Sequence, residues 1–171
     1  MQKKLNAMES KPMRNISTPQ VGVSTAKVLS VDLQLCFALY SASLSMTKTY
    51  KPLLAKLKLT YPQYLVLLVL WEKDGVTVNN IGERLFSDSG TLTPMLKRLE
   101  KLGLIQRQRA AEDERRVIIT LTEQGKSLQS QAADIHPQIA CSTGCTLDEL
   151  KELNNQLILL RTNLIKTLAK T

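Results

Sequence analysis

Three cysteines, Cys36, Cys141 and Cys145, and four tyrosines are the side chains in this chain best suited to redox chemistry. Five of the seven aromatic residues, Phe37, Tyr40, Tyr50, Tyr61 and Tyr64, fall within thirty residues of Cys36. Only a thiolate attacks a peroxide oxygen efficiently, and phenol hydroxyls can stabilise one by donating hydrogen bonds to it. A cysteine on an apolar helical face is otherwise an inert small hydrophobe, so residue types alone leave both readings open. A third use of the thiols is metal binding by Cys36, His136, Cys141 and Cys145. Their Cys-x3-Cys spacing is loose and the only histidine lies five residues before Cys141, so no metal and no cofactor is expected.

A second group of side chains suits a nucleic acid. Ile81 to Leu121 reads as two helices meeting at Ser87-Asp88-Ser89-Gly90, followed by two short strands. Leu92, Leu96 and Leu99 bury one side of the second helix, which leaves Ser89, Thr91, Thr93, Lys97 and Arg98 facing outward after the polar start at Asp88. Hydroxyls near the start of a helix and cations further along match the base edges and phosphates of a major groove. Past Gly103, a helix-ending glycine, Leu104 to Arg109 and Arg116 to Leu121 have strand character, with a charged tip between them. In that tip Asp113 can brace Arg115 while the guanidinium enters a narrow, strongly negative minor groove. Helix, turn, helix and basic hairpin together predict a winged helix: a mostly α fold with a small β-hairpin wing.

The elements that must position these groups follow in order. From Val31 a helical period carries Leu33, Cys36, Phe37, Tyr40 and Leu44 on one face, and Tyr50-Lys51-Pro52 is expected to open a short helix to Leu59. Thr60-Tyr61-Pro62-Gln63 has capping-box form and launches an apolar helix through Trp71. Thr77 to Phe86 is the first helix of the DNA-binding unit. Thr122 to Gly125 caps a helix running toward Pro137, after which a mobile connection to Gly144 is expected. Thr146-Leu147-Asp148-Glu149 is another capping box, and Leu150, Leu153, Leu157, Leu160, Leu164 and Leu168 then recur every three or four residues. So long a stripe calls for a partner, and a second copy is the simplest, because a two-fold dimer reads a pseudo-palindromic site with twice the base contacts.

The residues DERR at the wing, LTPMLKRLEKLGLI before it and the flanking strands resemble the MarR family of dimeric winged-helix regulators. Gln34-Leu35-Cys36-Phe37-Ala38-Leu39-Tyr40, Met46-Thr47-Lys48, Tyr50-Lys51-Pro52-Leu53-Leu54 and Leu59-Thr60-Tyr61-Pro62-Gln63-Tyr64 are similar, more narrowly, to the organic hydroperoxide sensing repressors of that family. The resemblance implies a peroxidatic Cys36, with Tyr50 and Tyr61 hydrogen-bonding its thiolate and Tyr40 as a packing neighbour. It also implies a resolving role for Cys141, which would bond Cys36 across the dimer, and leaves Cys145 spare. The implied inducer is an organic hydroperoxide and the implied target double-stranded operator DNA.

Composition agrees with that direction. The 171 residues, 43% hydrophobic, are enough for one substantial core, and a net charge of +8 favours a polyanionic partner. The longest uncharged apolar run, Leu65 to Trp71, is far below the roughly 20 residues of a membrane span, so no membrane association is expected. An odd cysteine count argues against a secreted disulfide framework and for the cytoplasm. Residues 1–30, with five basic residues against one acid, are expected to be a flexible tail. Residues 31–171 form the expected single domain, with a winged helix at about 60–121 and dimerisation helices at about 31–58 and 122–171. Competing functions are a repressor sensing a thiophilic metal or small ligand, and a cysteine peroxidase, for which no substrate cleft is recognisable; no enzyme activity is expected.

Overall fold

A proline that predicts a break instead lies inside a helix. In the computed structural model, which describes residues 29–109 and 116–170, a 3-10 turn at Val31–Leu33 precedes a continuous helix α1, Leu35–Lys56, with Pro52 within it. Pro52 removes one backbone donor. The helix is held beyond it by packing, since Leu54 is buried and Tyr50 and Leu53 lie against the core. The expected short helix from Tyr50 to Leu59 is therefore the end of α1. Its terminus is set by Lys58, in the left-handed region at φ 57. Leu59 N–H donates to the Leu54 carbonyl and Lys58 N–H to that of Ala55, each at 3.0 Å. Burial of Leu54 and Leu59 offsets the absence of a glycine from this closing motif.

The remaining elements are α2 (Tyr61–Glu72), β1 (Val76–Thr77), α3 (Val78–Leu85), α4 (Ser89–Lys101), β2 (Ile105–Arg109), β3 (Val117–Leu121), α5 (Glu123–Ala132), α6 (Ile135–Ser142) and α7 (Leu147–Leu168). α2 starts where the Thr60 N–H and hydroxyl both donate to Gln63 Oε1, at 2.8 and 3.1 Å. The wing strands pair antiparallel from Ile105 against Leu121 to Arg109 against Val117. β1, too short to read from sequence, adds to the other edge of β3, with Val76 opposite Ile119. The Asp74 carboxylate ties that corner together by accepting from the N–H groups of Gly75 and Leu121.

Leu67, Leu70, Ile81, Leu92, Leu96 and Leu99 are among the fully buried side chains. Each such burial is worth roughly 1.5–3 kcal/mol. α5 sits so close to the wing that a Cβ on Gly125 would stand 2.0 Å from the Leu104 carbonyl oxygen. On the same side Trp71 Nε1 donates to the Gly125 carbonyl at 2.9 Å, locking α2 to α5.

The expected mobile connection after Pro137 is largely a helix. α6 begins at Ile135 and places Pro137 in its first turn, where a missing N–H leaves no intrahelical partner unsatisfied. Burial of Ile135 and Ile139 holds it. α7 is as long as its leucine repeat predicts, yet buries no residue. The chain divides into two compact units, Met1–Tyr40 and Ser41–Thr171, with the boundary inside α1. No single helix among the described residues is long and apolar enough to cross a membrane. Most of the expected N-terminal tail lies outside the described residues.

Candidate DNA interface and redox site

α4 is built as its residue pattern predicts. Leu92, Leu96 and Leu99 are buried while Ser89, Thr91, Lys97 and Arg98 are exposed, with Thr93 half-buried. Asp88 is its N-cap: Oδ1 accepts from the Thr91 N–H and Oδ2 from the Thr91 hydroxyl, both at 2.9 Å. Those two hydrogen bonds, the backbone one first, hold the Asp88 carboxyl below the usual carboxylate range. Asp88 therefore orients the helix, and as an anion it does not itself attract phosphate. The Thr93 hydroxyl donates to the Ser89 carbonyl at 2.7 Å. With both protons spent internally, Thr91 and Thr93 can offer a base edge only acceptor lone pairs and methyl groups.

α4 ends at Gly103, φ 71, with Gly103 N–H bonded to the Glu100 carbonyl and Leu104 N–H to that of Leu99. This closure aims the chain directly into the wing. Asp113 and Arg115 lie outside the described residues. At the wing's base Arg107 approaches Glu100, Nη1 to Oε2 at 3.8 Å, and its Nε is buried with no hydrogen-bond partner. The strand period of Ile105-Gln106-Arg107 puts Arg107 on the same side as the buried Ile105, a signal present in the sequence. The turn between α3 and α4 carries Phe86, left-handed at φ 53, with the Arg161 guanidinium of α7 4.3 Å above its ring.

The phenols predicted to serve Cys36 come together in the second unit. Tyr50 and Tyr61 have ring centroids 4.7 Å apart, Tyr50 and Tyr64 6.1 Å, and Tyr64 meets Trp71 edge-on at 6.2 Å. Burial first, then the neighbouring phenols Tyr61 and Tyr64, pushes Tyr50 up to about 12. Burial likewise raises Tyr61 and Tyr64. These hydroxyls thus stay protonated near neutral pH, the form that can donate to an anion. Tyr64, which sequence spacing left without a role, completes the cluster. Cys36 belongs to the other unit; its thiol is exposed and free, as are Cys141, in the last turn of α6, and Cys145. Tyr40, expected to pack, is 62% exposed. Among the described residues no three of His, Cys, Asp and Glu come together to hold a metal ion.

The family description "Transcriptional regulator SarA/Rot" matches residues 48–131. The organic hydroperoxide resistance transcriptional regulator of Bacillus subtilis (strain 168) is 54% identical over 129 residues, which are 75% of this chain and 88% of that one. This chain is a MarR-type winged-helix regulator. Its relatives are transcriptional regulators, and the chain is one too rather than an enzyme. Reduced AbfR bound to DNA is 39% identical with a TM-score of 0.65, over 81% of this chain and 98% of that one. AbfR, of Staphylococcus epidermidis, has also been solved in a disulfide form, with a TM-score of 0.56 at 39% identity over 79% of this chain and 95% of that one. The MarR-type fold assigns α3 and α4 as the helix-turn-helix and β2 and β3 as the wing.

Proposed function

We propose that the reduced homodimer represses a promoter and that an organic hydroperoxide releases it by oxidising Cys36. The observation that carries this reading is the 54% identity, over 129 residues, to a regulator of organic hydroperoxide resistance. The Cys36 thiolate attacks the peroxide O–O bond, takes up one oxygen as sulfenic acid and, with a proton, releases the alcohol. Cys141 of the partner subunit then displaces water from the sulfenic acid, forming an intersubunit disulfide while Cys145 stays spare. Tyr50 and Tyr61 donate to the thiolate. The AbfR precedent, solved reduced on DNA and separately as a disulfide, supports such a redox cycle.

DNA contacts in this reading come from Ser89, Thr91, Thr93, Lys97 and Arg98 in the major groove, with α4 capped by Asp88. Arg115, braced by Asp113, takes the minor groove. The domain runs from about 31 to 171. Its dimer helices are α1 and α7, whose exposed Phe37, Leu44, Leu153 and Leu157 support a second copy as their cover. A pseudo-palindromic operator follows from two-fold symmetry, and a promoter-binding repressor works in the cytoplasm.

The test is binding of the full chain to duplexes of its own upstream region before and after one equivalent of cumene hydroperoxide. Loss of binding, with peptide mapping showing residues 36 and 141 joined, is expected. Forming that bond requires their Cα atoms within about 7 Å. Binding indifferent to peroxide overturns the sensor; release without the bond overturns only the two-cysteine step.

A further inference from the structure

Beside the face assigned to the major groove is a cavity of about 210 Å³ bordered by Thr77 and Asn79 at the start of α3, Thr93 of α4, and Arg107 and Arg116 of the wing base. No carboxylate lines it. Glu100 reaches only the Nη1 end of Arg107, leaving the edge that carries Nε, and that Nε has no acceptor. A guanidinium edge of this kind is the donor pair that a phosphate takes with two parallel hydrogen bonds. A second cation, Arg116, borders the same cavity and is exposed. The Thr77 hydroxyl is committed to Asn80 and the Thr93 hydroxyl to Ser89, so charge enters the cleft from the arginines and, in smaller part, from the start of α3.

We propose that this cleft seats one phosphate of the DNA backbone, gripped by Arg107 and Arg116, and so sets the depth and register of α4. A cation is excluded by the two guanidiniums. A backbone phosphate is favoured over a free anion because Thr93 belongs to both the cleft wall and the helix assigned to the groove, and phosphates line the groove's rim. For that grip the Arg107 side chain changes rotamer, because its Nε is buried in the DNA-free chain. The proposal rests on the DNA-binding reading above and adds a contact that its base-reading residues do not include.

The test uses the full chain and a random-sequence duplex of about 30 base pairs, because a phosphate contact is indifferent to sequence. Binding is followed by fluorescence anisotropy between about 50 and 200 mM salt. Arg116→Gln and Arg107→Gln are each expected to lower the slope of log K against log salt by about 0.9, the value for one phosphate. Lys166→Gln, an equal loss of charge on α7, should leave the slope as it is. Arg107→Lys, keeping charge but not the fork, should keep the slope and weaken binding. Should Arg107→Gln unfold, Arg116→Gln decides alone. Wild-type slopes in the arginine variants overturn the cleft, as does an equal fall in Lys166→Gln. Inorganic phosphate binding that Arg116→Gln abolishes while the slope is unchanged makes it a free-anion site and also overturns the proposal. Absence of duplex binding by the wild type overturns the DNA reading itself.

Discussion

α2 and α7 both open with a capping box and carry apolar residues at helical spacing, yet they end in opposite situations. α2 buries six of its twelve residues, and α7 none of its twenty-two. Helix formation does not separate them, because at both starts the threonine N–H and hydroxyl donate to the side chain three residues on, Thr60 to Gln63 and Thr146 to Glu149. The difference is where each stripe finds its cover. α2 is completed inside its own chain by α3, α4 and α5, whereas Leu153, Leu157 and Leu164 of α7 stand open. One region is stabilised within its own chain; the other keeps its apolar stripe on the surface, where the proposed second copy would cover it.

The largest effect should come from adding one methyl group on the completed side. Gly125→Ala puts a Cβ into the Leu104 carbonyl, and we expect a loss on the order of 4 kcal/mol or more in urea unfolding. Leu96→Ala should cost about 2–5 kcal/mol, independent of protein concentration. Leu157→Ala should leave the winged helix folded and weaken self-association by about 2 kcal/mol, roughly thirty-fold, read by sedimentation velocity. A concentration-independent loss for Leu157→Ala would erase the contrast, because α7 would then be stabilised within one chain.

Much of the completed half is legible in the sequence because its signals are local. Leu92, Leu96 and Leu99 mark the buried side of α4, Gly103 its end, and the β-branched Val117-Ile118-Ile119-Thr120 run a strand. The misreadings fall where tertiary contacts override a local rule. Pro52 is carried through α1 by the burial of Leu54, and Lys58 takes a turn usually left to glycine because Leu59 is buried beyond it. Pro137 lies in the first turn of a helix rather than before a loop because Ile135 and Ile139 have a core to enter. β1 is two residues long and exists only because β3 offers an edge. The inward threonine hydrogen bonds and the unpaired Arg107 Nε carry no composition signal at all.

A smaller effect tests the phenol cluster. Tyr50→Phe removes a donor but keeps the ring against Tyr61, so stability should hold while oxidation of Cys36 by cumene hydroperoxide slows roughly tenfold, the worth of one hydrogen bond to a charged group. An unchanged rate in stopped-flow thiol consumption would detach Tyr50 from the sensor and return the cluster to packing.

The smallest effect separates the two regions by acid. Asp88 caps α4 and Glu149 caps α7, and in each case backbone and then side-chain hydrogen bonds hold the carboxyl below its ordinary range. A depressed folded-state value means the proton binds more tightly to the unfolded chain. The stabilisation is therefore present above the unfolded value, near pH 4, and is lost as pH falls through the folded one. Asn at position 88 can still accept from the Thr91 N–H but cannot titrate, so Asp88→Asn should flatten the acid limb of winged-helix unfolding, followed by Trp71 fluorescence, with little change at neutral pH. Glu149→Gln should leave that limb alone and flatten the acid dependence of self-association. If Glu149→Gln altered the Trp71 transition as Asp88→Asn does, α7 would belong to the same cooperative unit as the reading head, and the two regions would not be separable.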